Sequence, residues 1–176
     1  MMKTGFNPLA RLLHWLMAAM ILAMLFIGVG MVSSVSARHA VLIAIHKPLG
    51  IAILVLVIVR LVVRFSKRPP ALPEDLPGWQ RAAAHLSHWL LYALMIAMPL
   101  IGWAMLSAGG YPVMLGGGVQ LPALMGADPI AFAWLRNAHE LLAFVLFATV
   151  VLHLAAALFH GLIRRDGVLG SMARGR

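Results

Sequence analysis

Eight histidines stand in a chain of 176 residues that has no cysteine. Imidazole binds transition metals and is the side chain whose charge changes near neutral pH. The absence of thiols excludes disulfides, thiolate catalysis, iron–sulfur clusters and haem attached through a CxxCH motif. His139 and His153 are 14 residues apart. On a helix that is about four full turns and about 21 Å, so both occupy one face at two different heights. His14 and His46 lie in two other apolar runs, so chemistry at either height needs helices that bring them to His139 and His153.

Those helices must cross a membrane. The chain is 62% hydrophobic and 11% charged, whereas a water-soluble domain carries roughly a quarter charged residues. Four apolar runs, about 12–32, 41–63, 86–107 and 139–163, are each long enough to cross a hydrocarbon core of about 30 Å as a helix. Together they predict one integral membrane domain over 1–176, an all-α bundle of four spans. Pro48 is tolerable in the first turns of its span, and Pro99 is expected to kink its helix. Ser34-Val35-Ser36 resembles a signal-peptide cleavage site. The apolar run before it is longer than the roughly 7–15 residues of a signal core, so a retained span is expected.

Orientation follows from Lys and Arg. Lys3, Arg11, Arg60, Arg64, Lys67, Arg68, Arg81, Arg164, Arg165, Arg174 and Arg176 fall on one side, and Arg38, Lys47 and Arg136 on the other. The first side is expected to be cytoplasmic, with both termini. The formal net charge of +9 is then mostly a topology signal, with some attraction to anionic lipid. No soluble basic face exists for nucleic acid. PPALPEDLP (69–77) reads as a cytoplasmic linker, and the outer loop 108–134 carries Gly116-Gly117-Gly118 as a flexible connector without the lysine of a phosphate-binding loop.

In this topology His46 and His139 sit at the outer level, and His14 and His153 toward the inner level. Each pair comes from two helices. That is the arrangement needed to clamp two haems inside a bundle, one above the other, with facing imidazoles on each iron. The other reading is that each histidine hydrogen-bonds a neighbouring helix or binds a metal, in a transporter or structural membrane protein. Gly50, one turn after His46, either lets a flat macrocycle approach or lets helices pack closely. His85 and His88 share a helical face at the cytoplasmic entrance and, with Trp15, could contact a quinone or a haem propionate, or form an interfacial belt. His160 lies on the His153 face but close to Arg164, which favours an interfacial role. His39 is read as a solvated loop residue. The 12 methionines are scattered as packing residues.

RLLHW (11–15), IHKPLGI (45–51), AHLSHWLLYALMIAMPLIG (84–102), AHELLA (138–143) and LHLAAALFH (152–160) together resemble the bacterial cytochrome b561 family, which includes the membrane-bound superoxide oxidase. The resemblance implies a four-helix bundle in the bacterial inner membrane with two b haems. It implies His14 paired with His153 and His46 with His139 as axial ligands, the pairing that depth alone suggests. It further implies superoxide:ubiquinone oxidoreductase activity. Bis-imidazole iron has no open position, so outer-sphere electron transfer remains. A cytochrome b subunit taking electrons from a dehydrogenase or hydrogenase and passing them to quinone is the alternative within the family. For superoxide, an anion, Lys47 and Arg136 are the candidate attracting residues at the outer face.

Overall fold

A computed structural model of the chain describes residues 5–33, 35–67, 69–115 and 118–175. Lys3, Arg68 and Arg176 of the basic set, Ser34 of the cleavage-site resemblance, and Gly116-Gly117 lie outside the described residues. The apolar runs form four long helices: α1 (Pro8–Val32), α2 (Ala37–Ser66), α3 (Gly78–Ala108) and α4 (Pro129–Leu158). Each is long and apolar enough to cross a membrane. The 30 residues of α2 extend about 45 Å at 1.5 Å per residue. The helix is therefore longer than the hydrocarbon core and must tilt or project from it.

The helices outrun the apolar stretches because polar caps start them early. Asn7 Oδ1 accepts the Leu9 N–H at 3.0 Å, with Pro8 in the first helical position, where a missing N–H costs nothing. Asp128 Oδ1 accepts from the Ile130 and Ala131 N–H groups at 2.9 and 3.1 Å. It therefore starts α4 ten residues before the expected 139, and His139 sits nearly three turns inside its helix. His39 is likewise helical, in the first turn of α2, with Nδ1 3.0 Å from the Met31 carbonyl. The expectation of a solvated loop residue is corrected by this contact. Helices α2 and α3 continue through Pro48 and Pro99.

The loop between α3 and α4 holds a short antiparallel hairpin, β1 (Val113–Met114) with β2 (Gln120–Leu121), pairing Val113 with Leu121. Gly118, at φ +80°, lies in its turn, a conformation that suits glycine. Of the glycine run, Gly118 is the described residue, and it belongs to this hairpin turn.

Helix α1 packs on α2, α2 on α3, and α3 on α4. The buried core consists of Met17 and Ile21 from α1, Ile53 and Val57 from α2, and Tyr92 and Met95 from α3. Helix α4 sends only Val150 to its edge. Large apolar side chains such as Phe26, Val62, Phe144 and Leu152 point outward, as suits a chain whose solvent is lipid.

Both chain ends meet at one end of the bundle. After α4 the chain makes a π-helical turn (Phe159–Arg164), passes Arg165 at φ 54° and Gly167 at φ 80°, and reverses into α5 (Val168–Ala173). The Phe6 N–H donates to the Ser171 carbonyl at 3.2 Å. Arg11 donates to the carbonyls of Met172 and Ala173. Asp166 organises the reversal: its Oδ2 lies 2.6 Å from His160 Nδ1 and accepts from Arg164 Nε at 3.0 Å, while Oδ1 accepts the Val168 N–H. Burial pushes the Asp166 carboxyl up, but these donors outweigh it and hold the group below its ordinary value. Arg164 also reaches Asp75 at 2.7 Å, tying the α2–α3 linker to the same end.

Candidate functional site

Helix rise places the histidines at two levels, and packing brings them together in pairs. His14 of α1 faces His153 of α4 with ring centroids 6.2 Å apart and planes at 67°. His46 of α2 faces His139 of α4, also at 6.2 Å, with planes at 66°. A metal bridging two imidazole nitrogens at about 2 Å each separates the centroids by about 6 Å, once about 1 Å of ring radius is added at either side. Both gaps therefore suit one metal held from opposite sides. Among the described residues the helices bearing each pair pack mainly on other neighbours, α4 on α3 and α1 on α2.

At the outer pair the ring nitrogens away from the facing partner have few polar contacts. His46 Nδ1 and His139 Nδ1 are buried without a hydrogen-bond partner, an uncommon state that calls for an explanation. Gly102 of α3 abuts the His139 ring; a Cβ there would lie 3.2 Å from His139 Cε1. Gly50 is less constrained. A Cβ there would stand 3.7 Å from the Met24 side chain, an ordinary packing contact between α2 and α1.

The inner pair is more crowded. His88 of α3 is 5.5 Å from the His153 ring. Arg60 of α2, near the end of its span and given no site role from the sequence, donates from Nη2 to His14 Nδ1 at 3.3 Å, from Nε to Tyr92 Oη at 3.1 Å and from Nη1 to the Ala10 carbonyl at 3.0 Å. Arg64, one turn on, lies 5.6 Å over the Tyr92 ring. The signal that could have found Arg60 is its position inside a span, where an ionisable group marks function by default.

The remaining candidates scatter. His85 is exposed while His88 is partly buried, so the two do not converge on one site. Trp15 contacts the His14 ring at 5.3 Å and donates its indole N–H to the Met172 carbonyl at 3.4 Å. His160 is engaged with Asp166. At the outer end, Lys47 donates to the Pro112 carbonyl at 3.4 Å, and Arg136 and Glu140 are exposed.

A bare structural metal ion takes about four protein ligands. Among the described residues no group of three or more His, Asp or Glu is placed to hold one. Two facing imidazoles per level suit a haem, whose macrocycle supplies the other four ligands. The residues present fit that group.

The sequence model of prokaryotic cytochrome b561 matches residues 5–175. The chain is 35% identical over 126 residues to a probable superoxide oxidase of Yersinia pestis, covering 71% of this chain and 70% of that one. It is 32% identical over 124 residues to cytochrome b561 homolog 1 of Escherichia coli K12, covering 70% of each. It is 30% identical over 162 residues to cytochrome b561 homolog 2 of the same organism, covering 90% of this chain and 86% of that one. With four membrane-crossing helices and a match along almost its whole length, the chain belongs to the prokaryotic cytochrome b561 family, whose members are multi-pass membrane electron-transfer proteins carrying b-type haem.

Proposed function

We propose that the protein is a di-haem superoxide oxidase, a single domain over 1–176 in the bacterial inner membrane with both termini in the cytoplasm. It passes electrons from periplasmic superoxide to ubiquinone. The observation that carries the di-haem reading is the pair of equal 6.2 Å gaps between His14 and His153 and between His46 and His139. The named activity of the Yersinia pestis relative supports superoxide as donor. Arg38, Lys47 and Arg136 against the other 11 basic residues support the orientation.

A b haem held at each level by the two facing imidazoles would supply one-electron transfer. The chain's own residues do the rest. His46 and His139 hold the outer site, close to the aqueous face, and His14 and His153 the inner one. Lys47 and Arg136 stand near the outer pair and attract the superoxide anion. Two superoxide anions leave as two oxygen molecules, and one quinone takes the two electrons with two protons. His88, against His153, and Trp15, against His14, line the inner side where quinone docks. His88 is the nearer proton carrier and His85 the outer one.

A reduced-minus-oxidised spectrum with a haem-to-protein ratio tests the cofactor reading; two haems per chain are expected. Superoxide supplied to proteoliposomes containing ubiquinone should yield quinol and oxygen. Two haems without that activity, together with a dehydrogenase or hydrogenase that co-purifies, would assign the chain as a cytochrome b subunit. A preparation without a Soret band from haem-sufficient cells would overturn the reading.

A further inference from the structure

Arg60 is a cation inside the bundle with no carboxylate paired to it among the described residues. The chain has five acidic residues, and none serves. Asp75 and Asp166 are taken by Arg164. Asp128 caps α4, and Glu74 and Glu140 are exposed. Among the described residues no ion pair involves Arg60 or Arg64. The partners of Arg60 are all neutral: a phenol, a backbone carbonyl and the Nδ1 of His14. An arginine at membrane depth ordinarily finds an anion or faces water.

The contact with His14 also cannot persist in the ligated state. A guanidinium only donates, so His14 Nδ1 accepts here and its proton sits on Nε2. A neutral imidazole that gives Nε2 to a metal carries its proton on Nδ1, which then donates. Arg60 Nη2 must then leave Nδ1, and it carries a free N–H beside the inner pair. Arg64, turned over the same Tyr92 ring, adds a second positive charge at that level. A haem brings two propionate carboxylates, and a planar guanidinium is the side chain best shaped for one.

We propose that Arg60 anchors a propionate carboxylate of the inner haem, a contact it makes by giving up His14 Nδ1. Arg60 thereby raises the potential of that haem. The inference rests on the di-haem reading above, with His14 and His153 as the inner ligands. Arg60 is a positioning residue: it also ties α2 to α1 and α3, so a purely structural role has to be separated from the electrostatic one.

The test uses purified holoprotein: wild type, Arg60→Gln and Arg60→Lys. Two readouts are taken, redox potentiometry resolving the two haems and the propionate bending bands in the resonance Raman spectrum. In Arg60→Gln the inner haem should become harder to reduce by about tenfold in its equilibrium constant, about 59 mV for one electron. The outer haem should stay unchanged and one propionate band should shift. Arg60→Lys should recover most of the potential. A fall in potential with unmoved propionate bands would overturn the anchor, pointing to a lipid phosphate or another anion as the partner. An unchanged potential in Arg60→Gln, or equal losses in Gln and Lys variants, would overturn it too, leaving Arg60 a brace between helices. If Arg60→Gln loses the inner haem, Arg60→Lys decides: a moved propionate band supports the anchor and an unmoved one sinks it. A wild-type protein without a second haem refutes the di-haem reading, a result distinguishable from any of these.

Discussion

The outer and inner histidine pairs share one geometry and differ in what surrounds it. Both hold their rings 6.2 Å apart. Among the described residues no charged side chain contacts the His46 or His139 ring: Gly102 abuts the latter, and Lys47, next in sequence to His46, turns to the Pro112 carbonyl. Around His14 and His153 stand His88, Arg60, Arg64 and Tyr92. Equal clamps in unequal fields should give equal ligation and unequal potentials. Positive charge favours the reduced form, so on the proposed di-haem reading electrons entering at the outer level should run downhill to the inner one. The clamp decides whether haem is held, and the surroundings decide which way electrons move.

Removing a clamp residue should have the largest effect. His46→Ala or His139→Ala should abolish the outer haem and leave one haem per chain, and His14→Ala or His153→Ala should abolish the inner one. Haem quantified by pyridine haemochrome against protein measures this. The assignment of the inner ligands fails if His160→Ala removes a haem while His153→Ala keeps both.

The asymmetry is sharpened by Gly102. A Cβ at that position lies 3.2 Å from His139 Cε1, so Ala is tight and the branched methyls of Val must displace the ring. Gly102→Val should remove or strongly perturb the outer haem only, read as a change in one of the two α-band components on reduction. Gly50→Ala, with 3.7 Å to Met24, should leave both haems in place. Loss of both haems in Gly102→Val would mean that the two sites are not independent.

What the sequence made legible divides along the same line. The four spans and the depths of His14, His46, His139 and His153 follow from composition and from a fixed rise per residue, quantities local to each helix. The pairing was legible because depth alone restricts which residues can meet. The neighbours of each pair were not, since they depend on how helices are rotated against one another. Arg60 reaches His14 across 46 positions of sequence, and no periodicity within α2 announces that contact. His85 and His88 share a helical face by spacing, yet rotation of α3 turns only His88 inward. The early start of α4 was written in Asp128-Pro129, a cap signal hidden by reading helix bounds from apolarity alone.

A smaller effect should separate those two histidines. If quinone is protonated at the inner level, His88→Ala should slow quinone reduction about tenfold or more, in line with the loss of a positioned proton carrier. His85→Ala should change it far less. Stopped-flow re-oxidation of the reduced haems by quinone measures both rates. Equal rates in wild type and in a His85→Ala, His88→Ala double variant would move quinone to the outer side.

The smallest effect concerns superoxide capture, where the near-neutral outer field is itself the difficulty. On the proposed topology the outer side carries three basic residues, Arg38, Lys47 and Arg136, against Asp128 and Glu140, an overall excess of one charge. Asp128 is committed to the cap of α4. Among the described residues Lys47 forms no ion pair with Glu140; its ammonium lies 3.4 Å from the Pro112 carbonyl, a neutral and long contact. Lys47 adjoins His46, and Arg136 precedes His139 by one helical turn, so two cations flank the outer pair, with Glu140 next to His139 as the one nearby anion, although the face as a whole is nearly neutral. Their attraction is local and short-ranged. At 0.1 M salt the screening length is about 10 Å, so the rate of superoxide oxidation should fall as ionic strength rises. Lys47→Gln combined with Arg136→Gln should lower the second-order rate by about tenfold at low salt, the lower end of electrostatic steering, and should flatten the salt dependence while haem content stays at two. Because these cations stand at the outer pair alone, the double variant should leave quinone-driven re-oxidation at the inner level untouched. A rate independent of salt and unchanged in the variant would remove the case for anion capture at this face and favour a protein as the electron donor.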